Sequence, residues 1–139
     1  MKTDDNCIFC KLANGEIPTN KIYEDHLFTV ILDADPVSKG HALILPKNHY
    51  ANIFELGDEE ASKIFTLAKK LATHMKDVLH CDGFNILQNN GEVAGQSVFH
   101  FHLHLIPRYK DAPNNKGLLG FTHAGLSEDE IKKVCEKLK

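Results

Sequence analysis

The sequence predicts an α+β domain in which an antiparallel sheet of about five strands carries one long helix and a C-terminal helix. Three observations indicate this class. Short apolar runs separated by turn residues are typical of strands, a helical apolar period spans residues 58–79, and a second amphipathic stretch follows residue 127. The sequence contains no internal repeat, linker or low-complexity segment. Residues 1–139 are therefore expected to form a single domain.

The first part of the chain is predicted to form a short helix and an antiparallel meander. Residues 7–14 suit a short helix, which Asn14 and Gly15 would end. Apolar and β-branched runs predict strands at residues 21–24, 27–32 and 41–45. Pro36 and Gly40 break the loop before the third strand.

The second part of the chain is predicted to begin with the long helix over residues 58–79. Its apolar residues are spaced by threes and fours: Ala61, Ile64, Phe65, Ala68, Leu71, Ala72, Met75 and Val78. A strand at residues 84–88, a polar loop at 89–95 and a strand at 98–107 follow.

The end of the chain carries a helix signal of its own. Ser127 and Glu130 match a capping box. An apolar stripe comes next, made of Ile131, Val134, Cys135 and Leu138. We expect the stripe, Cys135 included, to pack against the core.

Three histidines occupy alternate positions of the predicted strand 98–107, at His100, His102 and His104. Alternation predicts that the imidazoles leave one face of the strand. The residues expected to enter the core on the other face are Phe99, Phe101, Leu103 and Leu105. Alternate strand residues lie about 6.6 Å apart and the outer two about 13 Å apart. One metal with imidazole bonds of about 2.0–2.1 Å can hold two neighbours but hardly all three, so at least one histidine has another role.

Composition limits the class of protein. The chain has 139 residues, 42% of them apolar and 25% charged, which is typical of a globular domain. The net charge of −3 and the lack of a Lys/Arg run argue against nucleic acid as a partner. No apolar run reaches the length of a membrane span and the N-terminus has no secretion signal, so we expect a cytoplasmic protein without a membrane partner.

Cys7 and Cys10 form a C-x2-C pair. In a reducing compartment such a pair is either half of a metal site or a redox pair. A redox pair usually opens a helix after a strand, and nothing before Cys7 predicts a strand, so metal binding is favoured.

The segment from His100 to Ile106, preceded by Gly95-Gln96-Ser97, resembles the signature of the histidine triad (HIT) superfamily of nucleotide hydrolases and transferases. The resemblance extends to the branch of purine nucleotide phosphoramidases through Ile8 to Lys11, Glu16 to Pro18, Asp33, His41 to His49, and Asn89. It implies one HIT domain over residues 1–139, an enzyme, and a homodimer whose two sheets join into one.

The resemblance also implies a division of labour among the histidines. His102 would attack the α-phosphate of a purine nucleoside 5′-monophosphate conjugate and form a covalent nucleotidyl-histidine, which water then hydrolyses. Its other ring nitrogen would donate to the backbone carbonyl of His100, and His104 would donate to the phosphate or the bridging atom. Gly95, Gln96 and Ser97 would offer N–H groups to the phosphate, and the Asn89 amide would assist. The Ser97 hydroxyl would help to protonate a departing amine, and no catalytic metal is implied.

Substrate and zinc sites follow from the same resemblance. Asp33 would accept hydrogen bonds from the ribose hydroxyls. An apolar slot for the base would consist of Phe9, Leu12, Ile31 and Ile8, with Leu32 beside them. These residues do not distinguish adenine from guanine. The structural zinc ligands would be Cys7, Cys10, His49 and His100.

Other interpretations stay open. A dinucleoside polyphosphate hydrolase would use the same nucleophile, with Arg108 meeting the extra phosphate. A nucleotide-binding or scaffold protein would turn over substrate only incidentally, and a metal-dependent enzyme would use His100 and His102 as ligands. The sequence leaves the role of His41 open. The remaining histidines are predicted to be surface or packing residues: His26, His74, His80 and His123.

Overall fold

The computed structural model describes residues 1–112 and 125–139, and within them it confirms the α+β class. The helices are α1 (Ile8–Ala13), α2 (Asp58–Leu79) and α3 (Glu128–Leu138), with a 3₁₀ turn at Glu92–Ala94. The strands are β1 (Lys21–Glu24), β2 (Phe28–Leu32), β3 (Ala42–Pro46), β4 (Gly83–Leu87) and β5 (Leu103–Arg108). They form one antiparallel sheet in the order β1-β2-β3-β5-β4. The last strand therefore lies between β3 and β4.

The two faces of the sheet are covered by different helices. Successive side chains of a strand point to opposite faces, so Val30 and Ile44 lie in the larger core beneath α2. Ile31, Leu43 and Leu45 form a smaller cluster on the other face with Ala13 of α1. That face is the one on which the functional side chains gather.

Helix α2 has the predicted bounds, but its buried stripe is narrower than predicted. The buried apolar residues are Ile64, Leu67, Ala68, Leu71 and Met75. Phe65 and Val78 are 63% and 58% exposed, and Ala61 is exposed as well, so these members of the predicted apolar stripe are not buried. The reason is geometric, because a flat sheet covers only one stripe of a helix.

The histidine segment differs from the prediction. β5 begins at Leu103, five residues later than the expected start, and Phe99 is 51% exposed. Residues ahead of β5 bond to a neighbouring loop instead of a strand: the Phe101 N–H donates to the Tyr50 carbonyl at 2.6 Å. Only Phe101, Leu103 and Leu105 of the predicted apolar set enter the core.

Helix α3 has the predicted capping box, yet its apolar stripe is exposed. The Glu130 N–H donates to the Ser127 hydroxyl at 3.2 Å, and the Ser127 N–H donates to the Glu130 carboxylate at 3.3 Å. Ile131 and Leu138 are 55% and 80% exposed, and Cys135 is exposed too, so the prediction that this stripe joins the core was wrong. Local hydrogen bonds form the helix, whereas burial needs a tertiary partner. No helix in residues 1–112 or 125–139 is long and apolar enough to cross a membrane.

Candidate active site

The candidate site lies on the sheet face that α1 covers. Ile31 pairs with Leu43, Leu43 pairs with His104, and His104 pairs with Leu87, so these four side chains cross the sheet in register. Asp33 follows β2, where its N–H donates to the His41 carbonyl at 2.9 Å. The topology thus places the predicted ribose-binding carboxylate on the same part of the sheet as the histidines.

His102 has one ring nitrogen bound and one free for chemistry. Its Nδ1–H donates to the His100 carbonyl at 2.7 Å, so the lone pair is on Nε2. The ring is 7% exposed and stands edge-on to the Phe9 ring at 5.1 Å between centroids. Burial lowers the pKa of His102. The imidazole is therefore neutral at neutral pH, as a nucleophile needs to be.

His41 and His104 form a hydrogen-bonded pair beside it. The Val37 N–H donates to His41 Nδ1 at 3.0 Å, so the ring proton of His41 is on Nε2. This proton points at His104 Nδ1, 2.9 Å away, which leaves His104 with its proton on Nε2. Burial lowers the pKa of His41 and brings that of His104 to about 4. His104 is therefore a neutral donor, and His41, whose role the sequence left open, sets its tautomer.

Asp33 completes a cluster with these two histidines, with candidate ligand atoms within 4.8 Å of one another. Asp33 Oδ2 lies 3.6 Å from His41 Nε2, and Asp33 Oδ1 accepts the Asp35 N–H at 2.8 Å. A metal here would need a lone pair on His41 Nε2, but that atom carries the proton because Nδ1 already accepts from Val37. Val37, His41 and His104 are instead joined by consecutive hydrogen bonds, and the His41 Nε2–H lies close to the Asp33 carboxylate.

A second cluster joins α1 to the histidine segment. The His100 Nε2–H donates to the Pro46 carbonyl at 2.8 Å, so Nδ1 is the free atom, 3.4 Å from both Cys7 Sγ and Cys10 Sγ. His49 Nδ1 lies 3.3 Å from Cys10 Sγ, and all four ligand atoms lie within 4.8 Å of one another. A tetrahedral zinc with bonds of about 2.0–2.1 Å to nitrogen and about 2.3 Å to sulfur requires N···S distances of about 3.6 Å. The four residues fit the ion.

Burial favours the neutral forms of two members of this cluster, Cys10 and His100, when no metal is bound. Cys10 is 1% exposed, and burial raises its thiol pKa to about 11. Burial likewise lowers the pKa of His100 to about 4. Cys7 is the N-cap of α1, and its Sγ accepts the Cys10 N–H at 3.3 Å. The short helix thus places both sulfurs on one side of the cluster.

Of the three backbone N–H groups predicted to face phosphate, at Gly95, Gln96 and Ser97, the first two already donate hydrogen bonds within the loop. The Gly95 N–H donates to the Glu92 carbonyl at 2.9 Å and the Gln96 N–H to the Gly91 carbonyl at 3.0 Å. The buried Gln96 side chain holds the loop as well, with Nε2 2.6 Å from the Ala51 carbonyl. In this structure, therefore, neither N–H group is free: that of Gly95 caps the 3₁₀ turn, and that of Gln96 closes a wider turn onto Gly91.

Ser97 and Asn89 are the available polar groups of that loop. Within residues 1–112 and 125–139, neither the Ser97 hydroxyl or N–H nor the Asn89 side-chain amide forms a hydrogen bond. Gly95 has φ of 97°, and a Cβ there would lie 3.5 Å from Asn89 Nδ2. The left-handed glycine brings the turn against the asparagine.

The predicted base slot is only partly assembled. Phe9 and Leu12 of α1 pack against the cluster that contains Ile31, which is itself 3% exposed. Ile8 is 54% exposed and lies outside that cluster, and Leu32 packs against the core under α2.

Arg108, His26, His74 and His80 belong to neither of the two clusters described above. Arg108 lies about 13 Å along β5 from His104, and its Nη1 donates to the Asn85 side chain at 3.3 Å. His26, His74 and His80 are exposed, and His123 lies outside the described residues.

The sequence matches a protein family model and several named proteins. The family model described as the HIT domain matches residues 14–111. The Bacillus subtilis protein named hit is 46% identical over 124 residues, which are 89% of this chain and 85% of that protein. The adenosine 5′-monophosphoramidase hnt1 of Schizosaccharomyces pombe is 42% identical over 135 residues, 96% of each chain.

Solved structures agree with these sequences. A HIT family protein from Bacillus anthracis superposes with a TM-score of 0.85 at 44% identity and covers 98% of this chain and 96% of its own. A zinc-bound histidine triad family protein from Mycobacterium smegmatis superposes with a TM-score of 0.74 at 32% identity, over 96% and 95% of the two chains.

Proposed function

This chain belongs to the HIT domain family and is a hydrolase of that family, and from this premise we propose that it cleaves the α-phosphate linkage of purine nucleoside 5′-monophosphate conjugates, phosphoramidates above all. The observation that carries the proposal is the bond from His102 Nδ1–H to the His100 carbonyl. It leaves a neutral, buried imidazole with its lone pair on Nε2. A relative named as an adenosine 5′-monophosphoramidase, matched over 96% of both chains, supports the substrate class.

The proposed reaction has two displacement steps. His102 Nε2 forms a bond to the α-phosphorus as the P–N bond of the phosphoramidate breaks, and the departing nitrogen takes a proton and leaves as an amine. The Ser97 hydroxyl is the proposed donor of that proton. Water then attacks the same phosphorus and returns a proton to the Ser97 oxygen, the bond to His102 breaks, and nucleoside monophosphate is released. The imidazole returns to its starting state.

Charge on the nonbridging phosphate oxygens needs hydrogen-bond donors. His104 Nε2–H, the Asn89 amide and Ser97 are the proposed donors, because each has a polar hydrogen that no other described residue accepts. Asp33 is proposed to accept the ribose hydroxyls. Phe9, Leu12 and Ile31, with Ile8 at the rim, are proposed to contact the base.

We also propose a structural zinc held by Cys7, Cys10, His49 and His100. When bound, the ion cross-links α1 to the histidine segment, with four protein ligands and no open position for substrate. The reaction steps run through imidazole, hydroxyl and amide groups of the chain, so the proposed activity needs no catalytic metal. A cytoplasmic location, without nucleic acid or membrane partners, stays a prediction from composition.

A homodimer joined through β4 is part of the proposal. β4 is an edge strand without a charged residue, and Ile86 on it is 42% exposed. Pairing with a second β4 would satisfy its unpaired backbone groups.

The decisive experiment compares two substrate classes in one assay. An adenosine phosphoramidate and a dinucleoside polyphosphate are offered in competition to the native protein, and kcat/KM is measured for each. We expect the phosphoramidate to be preferred, since Arg108 lies away from His104. His102→Ala should lower kcat on the order of a thousandfold or more, while AMP binding by calorimetry stays within about threefold. Quenching with denaturant at alkaline pH should trap an acid-labile nucleotidyl adduct in the native protein alone.

Four outcomes would contradict the proposal. An active His102→Ala protein would exclude the nucleophile. A preference for the dinucleoside polyphosphate would favour the second enzyme class, and tight nucleotide binding without turnover would favour a binding or scaffold protein. Immediate loss of turnover on chelation, with the fold intact, would instead indicate a metal-dependent enzyme.

A further inference from the structure

A buried carboxylate lies in the first turn of α2, outside the reaction centre described above. Glu60 is 3% exposed, although its neighbours Asp58 and Glu59 are exposed. Glu60 Oε2 accepts two hydrogen bonds, from the Tyr50 hydroxyl at 2.8 Å and from Asn48 Nδ2 at 3.3 Å. Acidic residues in a first helical turn favour the helix from the surface, so the helix alone does not explain why this one is buried.

The two partners of Glu60 flank a zinc-ligand candidate. Asn48 and Tyr50 stand on either side of His49, and the Asn48 side chain also accepts the Lys2 N–H at 2.9 Å. The His49 N–H donates to the Lys2 carbonyl. Glu60 therefore holds the loop that carries His49 from both ends.

Tyr50 also connects this loop to the histidine segment. Its carbonyl accepts the Phe101 N–H at 2.6 Å, and Phe101 lies between His100 and His102. None of the five described strands pairs with the segment before Leu103, so the Phe101–Tyr50 hydrogen bond takes the place of a strand-to-strand bond there. The carbonyl that orients His102 belongs to the residue directly before Phe101.

Gly57 leaves the space in which Tyr50 and Glu60 meet. A Cβ at residue 57 would lie 2.6 Å from Glu60 Oε1 and 2.7 Å from the Tyr50 hydroxyl oxygen. The backbone of Gly57 has φ of −64°, so any residue could adopt it and only the space requires glycine. A methyl group here would separate the two partners without removing either.

We propose that Glu60 is a positioning residue for the hydrolysis. Through Tyr50 and Phe101 it keeps the His100 carbonyl in line with His102 Nδ1, and so keeps the nucleophilic nitrogen free and aimed. The proposal rests on the proposed function. Glu60 is not among the residues proposed to bind substrate, so its loss should lower kcat and leave KM nearly unchanged, because a displacement of about 1 Å in a catalytic group can cost about a hundredfold in rate.

The test compares four variants of the full chain at a temperature where each is folded. Glu60→Ala and Gly57→Ala should lower kcat for an adenosine phosphoramidate at least about tenfold, with KM within about twofold. Glu60→Gln should stay within about threefold of the native kcat, because its amide oxygen can accept both bonds. Glu59→Ala is the matched control, with a side chain 56% exposed on the same turn, and should behave as the native protein.

A readout without turnover separates this proposal from the proposed function. Nitrogen-15 NMR of the His102 ring should report a single Nδ1–H tautomer in the native protein and in Glu60→Gln, and a mixture in Glu60→Ala and Gly57→Ala. A native protein that hydrolyses no phosphoramidate would overturn the function but leave the tautomer test valid. If folded Gly57→Ala keeps one tautomer and the native kcat, or Glu60→Gln loses as much as Glu60→Ala, the positioning role is wrong. If Glu60→Ala does not fold, the comparison of kcat and of the His102 tautomer between Gly57→Ala and Glu60→Gln still tests the positioning role.

Discussion

At the scale of single residues, each reactive imidazole owes its proton position to a neighbour. The His100 carbonyl places the proton of His102 on Nδ1, and His41 places that of His104 on Nε2. The two rings stand 4.9 Å apart between centroids, yet one has a lone pair and the other a proton available for substrate. Identical side chains are therefore suited to the two proposed roles of nucleophile and donor, because their second ring nitrogens have different partners.

The buried state of His104 leads to a prediction about acid stability. Burial brings its pKa to about 4 in the folded protein, whereas an unfolded histidine has a pKa of about 6.5. Between these values the unfolded chain binds the extra proton, so lowering the pH destabilises the folded state. The slope is at most about 1.4 kcal/mol per pH unit from this one group. Urea unfolding between pH 7 and 4.5 should show a smaller loss of stability for His104→Gln than for the native protein.

The control is His26→Gln, which removes a histidine whose side chain is 74% exposed. It should lose stability with pH as the native protein does. If the unfolding free energies of His104→Gln and His26→Gln change with pH in the same way, the His104 ring is protonated in the folded protein at mildly acidic pH. It then cannot be the neutral donor described above.

At the scale of elements, the short helix α1 serves two sites. Its N-cap Cys7 and its buried Cys10 face the metal-ligand candidates, while Phe9 contacts the His102 ring and Leu12 packs beside the sheet. A helix of 6 residues has little stability of its own, so its position depends on these contacts. A zinc ion at the cluster would fix the helix that forms one wall of the proposed substrate site.

Metal analysis tests whether zinc holds α1 in place. We expect about one equivalent of zinc per native chain, and a Cys7→Ser variant that retains little zinc and loses at least about 2 kcal/mol of unfolding free energy. Cys135→Ser is the matched control, because Cys135 is exposed on α3 and should affect neither quantity. A native protein free of zinc, with a Cys7→Ser variant of equal stability, would refute the metal site.

At the scale of the whole molecule, the two edges of the sheet differ. β1 has an irregular register near Lys21 and carries the charged Lys21 and Glu24, features that discourage pairing with another chain. β4 pairs regularly with β5 and has no charge between Gly83 and Leu87. Of the two edges described in residues 1–112 and 125–139, β4 is therefore the one at which the proposed dimer would extend the sheet.

Light scattering at micromolar concentration checks this assembly. The native protein should have the mass of a dimer, and Ile86→Lys on β4 should shift it to a monomer because the charge would be buried at the new strand pair. Ile22→Lys on β1 is the matched control, since Ile22 is 45% exposed and Ile86 42%. It should remain dimeric. A native monomer would refute the proposal, and loss of the dimer in Ile22→Lys alone would move the interface to β1.

The local pattern of the chain was enough to predict most elements. α2 has the predicted bounds of residues 58–79, and the starts and ends of β1 to β4 agree within one residue. Helical and strand periods, caps and turn residues act over a few positions, so they can be read without knowing the fold. The histidine row and the Cys7–Cys10 pair are local patterns too, and the family they indicated is confirmed by the match to the HIT domain over residues 14–111.

The sequence by itself determined the elements, the family and the residue types of the site, whereas the tertiary structure decided how those residues are used. Insertion of β5 beside β3 put His41 against His104, and the bond from Phe101 to Tyr50 took His100 and His102 out of a regular strand. Closure of the loop between Gly91 and Gln96 engaged the N–H groups of Gly95 and Gln96. Most of these arrangements depend on contacts between residues far apart in the chain. They also depend on which polar groups the fold leaves without a hydrogen-bond partner. Local periodicity carries no information about either.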